Sequence, residues 1–192
     1  MSFWRATFPT PLGDMIGVAD DTALLMLDFH DRRDMPDALA RFNAAPATCT
    51  ILQRTDEQLA QYFAGTRQSF DIPLNPTGTA FQKAAWQTLR DIPFGRTITY
   101  THQAHAMKRD GGPMVIARAV ARANACNFLS VIIPCHRVIG ANGNLTGYGG
   151  GLVRKQWLID HEQDHADPDA TLWRAASHVG NTHAALVEHV SQ

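Results

Sequence analysis

Residues 101–126, THQAHAMKRDGGPMVIARAVARANAC, read as two short helices divided by a glycine turn. The first covers roughly 101–107, and the turn is Asp110-Gly111-Gly112-Pro113. The second runs from Pro113 to near Cys126, with proline in its first turn, where a missing N–H costs nothing. Helix, glycine turn, helix is the outline of a helix-turn-helix. The second helix repeats alanine at Ala117, Ala119, Ala121, Ala123 and Ala125, with Arg118 and Arg122 among them. Alanine favours helix and carries little bulk, so another surface can approach the backbone closely. Two uses fit this texture: a groove-entering helix whose arginines meet phosphates, or tight helix packing with two snorkelled arginines.

The neighbouring segments extend this helical unit. Thr79 is placed to cap a helix over 80–90, with Phe81, Ala85, Trp86 and Leu89 at helical intervals, and Ile92-Pro93-Phe94-Gly95 stops it. Residues 97–100 are short and β-prone. Earlier in the chain the texture differs. Residues 3–8 alternate weakly, and 15–19 and 22–29 read as strands bounded by Pro11-Leu12-Gly13-Asp14 and Asp20-Asp21 turns. Helices are expected over 36–43 and after Thr55, where Asp56 and Glu57 would fall in a first turn. The fold class is therefore α+β. An α+β scaffold covers 1–77, a mainly helical domain covers 78–163, and a tail covers 164–192.

The chain's 192 residues suffice for one sizeable core or two small domains. The net charge of −1 hides an asymmetry: −4 over 1–77, +6 over 78–163 and −3 over 164–192. Only the middle block suits a polyanion, although a solvated basic face fits it equally. No apolar signal core opens the chain and no run approaches a membrane span. Three cysteines do not make a disulfide framework, so a reducing cytoplasm is expected. Cys49 and Cys126 read as packing residues.

The third cysteine sits in Ile132-Ile133-Pro134-Cys135-His136-Arg137-Val138-Ile139-Gly140. The apolar run before it reads as a buried strand that Pro134 ends. An adjacent imidazole and guanidinium would favour thiolate over thiol, which points to a nucleophile presented at a turn. A buried structural cysteine is the bland alternative. A separate motif, His161-Glu162-Gln163-Asp164-His165, formally matches H-E-x-x-H, the zinc-hydrolase pattern. Against that reading, Pro168 follows almost at once, and Cys135 would be left without a role.

In order, Gly78-Thr79-Ala80-Phe81-Gln82, Ile92-Pro93-Phe94-Gly95, Arg118-Ala119-Val120, the Cys135 motif, Gly147-Tyr148-Gly149-Gly150-Gly151-Leu152 and Leu158-Ile159-Asp160-His161-Glu162 resemble the O6-alkylguanine-DNA alkyltransferases, the methylated-DNA–protein-cysteine methyltransferase family. The resemblance covers most of 78–163. Residues 1–77 are similar, more loosely, to the family's ribonuclease-H-like domain. It implies a winged-helix-like second domain that binds duplex DNA through the minor groove, where alanine leaves room. It also implies irreversible transfer of an alkyl group from O6-alkylguanine, or O4-alkylthymine, to Cys135. No cofactor and no metal are implied, and the protein would act as a monomer.

The residue roles follow from that resemblance. His136 would take the thiol proton and Glu162 would orient the imidazole. Asn127 would brace the active-site turn, and Tyr100 would assist rotation and protonation of the base. Arg118 would fill the gap left by the extruded nucleotide, since the alkylated atom cannot reach a pocket inside an intact duplex. Thr99, Ala119, Ala121 and Arg122 would lie on the DNA side. Tyr148, Gly149, Val138 and Ser130 would line the pocket. Departures from the family pattern are the longer connector 106–113, with Lys108, Arg109 and Asp110, together with Arg122, Asn124 and Phe128. Ser130 and Gly149 suggest an open pocket that tolerates adducts larger than methyl. A non-catalytic lesion sensor is the remaining alternative, which the presence of Cys135 argues against.

Overall fold

The computed structural model describes residues 2–108 and 114–167. Strands β1 (Trp4–Phe8), β2 (Met15–Ala19) and β3 (Leu24–Phe29) form an antiparallel meander. The two-residue strand β4 (Ala45–Pro46) adds parallel to β1, giving the order β3-β2-β1-β4. The turns are set by their residues. In the second, the Asp20 carboxylate accepts from the backbone N–H groups of Thr22 (2.8 Å) and Ala23 (2.9 Å), the Asx arrangement.

Alternation along β2 divides its side chains between two cores. Met15 and Ala19 join the main core with Leu52, Leu59 and Tyr62 of α2 (Thr50–Phe63), while Ile16 and Val18 pack with Met35 and Ala38 of α1 (Met35–Ala40). Helix α2 starts earlier than the sequence suggests, so Asp56 and Glu57 lie in its body. The Thr55 hydroxyl bonds back to the Ile51 carbonyl (2.7 Å) and caps nothing. Burial of Leu52 outweighs the local start signal.

The second domain is mainly helical. Helix α3 (Ala80–Arg90) opens on a full capping box: the Gln82 N–H donates to the Thr79 hydroxyl, and the Thr79 N–H to the Gln82 side chain. Strand β5 (Ile98–Thr99) precedes α4 (Tyr100–Ala106) and pairs in parallel with β6 (Val138–Ile139). Helix α5 (Ala117–Ala125) follows, and α6 (Leu152–Asp164) closes the described chain. Helix α5 begins four residues later than the sequence suggests, because Ile116, a β-branched residue, is extended (φ −98°, ψ 142°). Pro113 and the glycine turn lie outside the described residues, as do Arg109, Asp110 and the tail from Pro168 onward. The α3–α5 contact is fixed by the Trp86 indole N–H donating to the Ala123 carbonyl (2.9 Å).

The free edge of β3 carries the second domain. The Leu27 N–H donates to the Phe128 carbonyl (2.6 Å) and the Ser130 N–H to the Leu27 carbonyl (2.8 Å). No strand forms over 131–133, contrary to the sequence reading. Val131 sits at φ 72°, and tight turns run from Ile132 to Ser130, Ile133 to Leu129 and Cys135 to Ile133. These turns satisfy the buried backbone polar groups locally, while burial of Val131, Ile132 and Ile133 offsets the strain. No helix among the described residues is long and apolar enough to cross a membrane.

Candidate active site

Cys135, His136 and Arg137 form one 3₁₀ turn, all buried. Consecutive side chains in such a turn diverge by about 120°, so three neighbours in sequence address three surroundings. This corrects the expectation that His136 and Arg137 flank the sulfur: both turn to Glu162. Instead, the Asn127 side-chain amide donates to Cys135 Sγ (3.3 Å) and to the Ile133 carbonyl (2.9 Å), while its oxygen accepts from the Leu129 N–H (2.9 Å). Cys135 sits at a turn, as the sequence suggests, but the residue is only 4% exposed. Burial pushes its pKa up. The Asn127 bond opposes that, Asp28 adds to it, and Lys155 and Arg32 counter it.

Glu162, on α6, is the hub of the buried polar network. Its carboxylate accepts from His136 Nε2 (2.8 Å), Arg137 Nε (2.8 Å) and Nη2 (3.0 Å), the Tyr62 hydroxyl (2.8 Å) and the Gly95 N–H (3.1 Å). Burial alone would raise its pKa, yet His136 and Arg137 hold it well below the usual carboxylate range. His136 has its pKa lowered by burial, partly offset by Glu162. The His136 Nδ1 is buried without a hydrogen-bond partner among the described residues.

Tyr100, Tyr148 and Lys155 surround the sulfur electrostatically. The Tyr100 hydroxyl donates to the Thr146 carbonyl (2.9 Å); burial pushes its pKa up, and Cys135 adds to the rise. Burial and Cys135 also raise Tyr148 well above the usual phenol range. Lys155 Nζ donates to the carbonyls of Val138 (2.6 Å) and Thr146 (2.8 Å), and burial pushes its pKa down to about 8. Lys155, Arg137 as a clamp on Glu162, and Tyr62 escaped the sequence reading. For Lys155 a signal existed: it shares the buried face of α6 with Leu158, Ile159 and Glu162. Tyr62 lies 100 residues from Glu162 and offered none.

On α5, Arg118 and Arg122 are exposed, and the Thr99 hydroxyl caps α4 by accepting from the His102 N–H (3.1 Å). Ala119 is half-buried, and Ala121 is half-buried against the core. Ala123 is buried, so part of the alanine repeat serves packing. Asn124 faces inward, its amide donating to Gln103 Oε1 (2.7 Å), which removes it from any DNA-facing role. Val138 and Ser130 are buried, and Gly149 lies against the Arg32 guanidinium. In the H-E-x-x-H segment, His161 stacks on Trp157 (4.8 Å, 11°), with Nε2 against the Tyr62 carbonyl (2.8 Å). The His165 Nδ1 meets the His161 carbonyl (2.8 Å) while Glu162 joins the His136 network, so the three do not converge.

Two family models match the chain. The "6-O-methylguanine DNA methyltransferase, ribonuclease-like domain" matches residues 4–76, and the "6-O-methylguanine DNA methyltransferase, DNA binding domain" residues 80–164. The chain is 39% identical over 162 residues to a methylated-DNA–protein-cysteine methyltransferase of Methanosarcina acetivorans, covering 83% of this chain and 97% of that one. It is 47% identical over 117 residues to the protein of the same name from Mycolicibacterium paratuberculosis, covering 61% and 68%. The crystal structure of Mycobacterium tuberculosis O6-methylguanine methyltransferase superposes with a TM-score of 0.75 at 36% identity, covering 88% of this chain and 98% of that one. The mycobacterial protein in complex with DNA gives 0.73 at 36% identity, covering 87% and 97%. Likeness of this degree over nearly the whole length of a relative makes this chain a member of the methylated-DNA–protein-cysteine methyltransferase family.

Proposed function

We propose that this protein repairs DNA by moving an alkyl group from O6 of guanine, or O4 of thymine, to Cys135 in one irreversible turnover. DNA is the partner of its second domain. The protein acts as a monomer and approaches the minor groove with α5. Arg118 fills the gap left by the everted nucleotide; Arg122, Thr99, Ala119 and Ala121 border the same face. Tyr148, Gly149, Val138 and Ser130 surround the base.

The thiol is buried and its pKa raised, so it needs a base at the moment of reaction. His136 Nδ1 takes the proton, directly or through one water, and Glu162 stabilises the imidazolium through Nε2. The sulfur attacks the alkyl carbon. An S–C bond forms, the C–O6 bond breaks, and its electron pair stays on the purine. The Tyr100 hydroxyl gives that purine a proton and is reprotonated from solvent. A thioether resists hydrolysis, so no second turnover follows. Delivery of the base requires the Tyr148–Gly150 segment to yield. It is bracketed by Gly147 (φ 62°) and Gly151 (φ 92°), conformations that cost glycine little.

The observation that carries this reading is the buried His136 side chain: Nε2 lies 2.8 Å from the Glu162 carboxylate, and Nδ1 has no hydrogen-bond partner among the described residues. The test is incubation with a duplex containing O6-methylguanine, followed by mass analysis of cysteine peptides. A methyl group replacing one proton on Cys135, and none on Cys49 or Cys126, is expected. Cys135→Ala should bind the duplex and transfer nothing. An unmodified Cys135 on a bound duplex would leave only lesion binding.

A further inference from the structure

Arg32 follows β3, yet its guanidinium reaches across to the second domain. Nη1 donates to Asp28 Oδ2 (2.6 Å) and to the Asn127 carbonyl (2.6 Å), and Nη2 to the Ala125 carbonyl (2.8 Å). Nε is held by Asp34 (2.6 Å) at the surface, and the guanidinium lies 3.7 Å from the centroid of the Phe128 ring. The residue is 6% exposed. The Ala125 and Asn127 carbonyls belong to the C-terminal end of α5, where carbonyls lack helical partners and a cation is favoured. Phe128, a departure from the family pattern, is the ring on which this cation rests.

Two further contacts lead to the reacting atom. Asn127, whose carbonyl Arg32 holds, donates its side-chain amide to Cys135 Sγ. A Cβ on Gly149 would come within 2.6 Å of Arg32 Nη1, so the guanidinium also backs the Tyr148–Gly150 segment. One planar fork thus touches the end of the exposed-arginine helix, the turn that supports the sulfur and the loop beside it. A lysine cannot make this set of contacts at once.

We propose that Arg32 is a positioning residue for the alkyl acceptor, contributed by the first domain: it fixes the Asn127 turn that donates to Cys135 and ties it to the end of α5. This rests on the transfer reaction proposed above. The residue does not touch the lesion, so its loss should slow the step after binding and leave DNA affinity alone.

The test compares Arg32→Lys with Asp34→Asn, both checked for an unchanged circular-dichroism spectrum. Single-turnover transfer from an O6-methylguanine duplex is measured against duplex concentration. For Arg32→Lys the limiting rate should fall roughly tenfold to 100-fold, with the half-saturating concentration within about twofold of the parent protein. Asp34→Asn removes only the surface partner and should keep both values. In a second arm without DNA, iodoacetamide modification of the Cys135 peptide is followed against pH. Its midpoint should move up in Arg32→Lys as the Asn127 donor is displaced, and stay in Asp34→Asn. A limiting rate unchanged in Arg32→Lys, or an equal loss in both variants, overturns the proposal. A parent protein that transfers nothing overturns the transfer reading instead, and the iodoacetamide arm still judges Arg32.

Discussion

At the residue scale, the thiol and the imidazole are tuned in opposite senses to what their adjacency suggests. The cationic neighbours of Cys135 in sequence do not ionise it: burial raises the thiol above its ordinary value of 9.0 and keeps His136 below its ordinary 6.5. In the proposed reaction, His136 is the base that the buried, protonated thiol requires. The limiting transfer rate should therefore stay level as pH falls through 6.5 and decline only below it. In His136→Gln it should drop by about 10²–10⁴. That variant's rate should then keep climbing with pH beyond 9.0, following the thiol itself. A variant profile parallel to the parent's would show that His136 is not the base. Glu162 gives a second check with a defined sign. Its folded pKa lies below the ordinary 4.5, so its contribution to stability is complete above that pH and is lost as pH falls below it. Glu162→Gln should lower stability at neutral pH and flatten the acid limb of a chemical-denaturation series. An acid limb as steep as the parent's would reject Glu162 as its source.

At the element scale, signals carried by a few adjacent residues survived folding. The Thr79 cap and the Pro93 stop bound α3 where the sequence puts them, and β2 spans Met15–Ala19. Thr79→Ala should cost about 1 kcal/mol of unfolding free energy, since the Gln82 N–H loses its acceptor, and should leave the transfer rate unchanged. A cost near zero, measured by urea titration, would mean that tertiary contacts alone hold that end. Elements set by distant partners were not legible in the same way. The apolar run 131–133 has the composition of a strand. Its backbone turns on itself because β3 binds residues 128–130 first, leaving Cys135 to be delivered by tight turns. Helix α2 gained its first turn from Leu52 entering a core assembled by other segments. The alanine repeat of α5 held two meanings at once. Ala123 packs inward while Arg118 and Arg122 remain outside, and only the neighbouring helices decide which alanine does which.

At the scale of the whole molecule, the site belongs to neither domain alone. Tyr62 of α2 donates its hydroxyl to Glu162 of α6, β3 pairs with the segment carrying Leu129, and Arg32 reaches the end of α5. The motif around Cys135 and Glu162 was visible in the chain because its members are chemically distinctive. The first domain's contribution was not, because Tyr62 and Arg32 resemble ordinary core and surface residues until the fold juxtaposes them. Removing the Tyr62 hydroxyl withdraws one donor from a buried carboxylate and leaves the ring in place. Tyr62→Phe should therefore lower unfolding free energy by about 1–3 kcal/mol. The loss should reach both domains together, because the hydroxyl joins them. Trp4 reports on the sheet, whereas Trp86 and Trp157 report on α3 and α6. Single-tryptophan versions of the parent and of Tyr62→Phe should each unfold in one coincident transition, displaced to lower denaturant in the variant. Separate midpoints in the parent would mean that the two domains are independently stable, and that the Tyr62–Glu162 bond aligns the site without joining the cores.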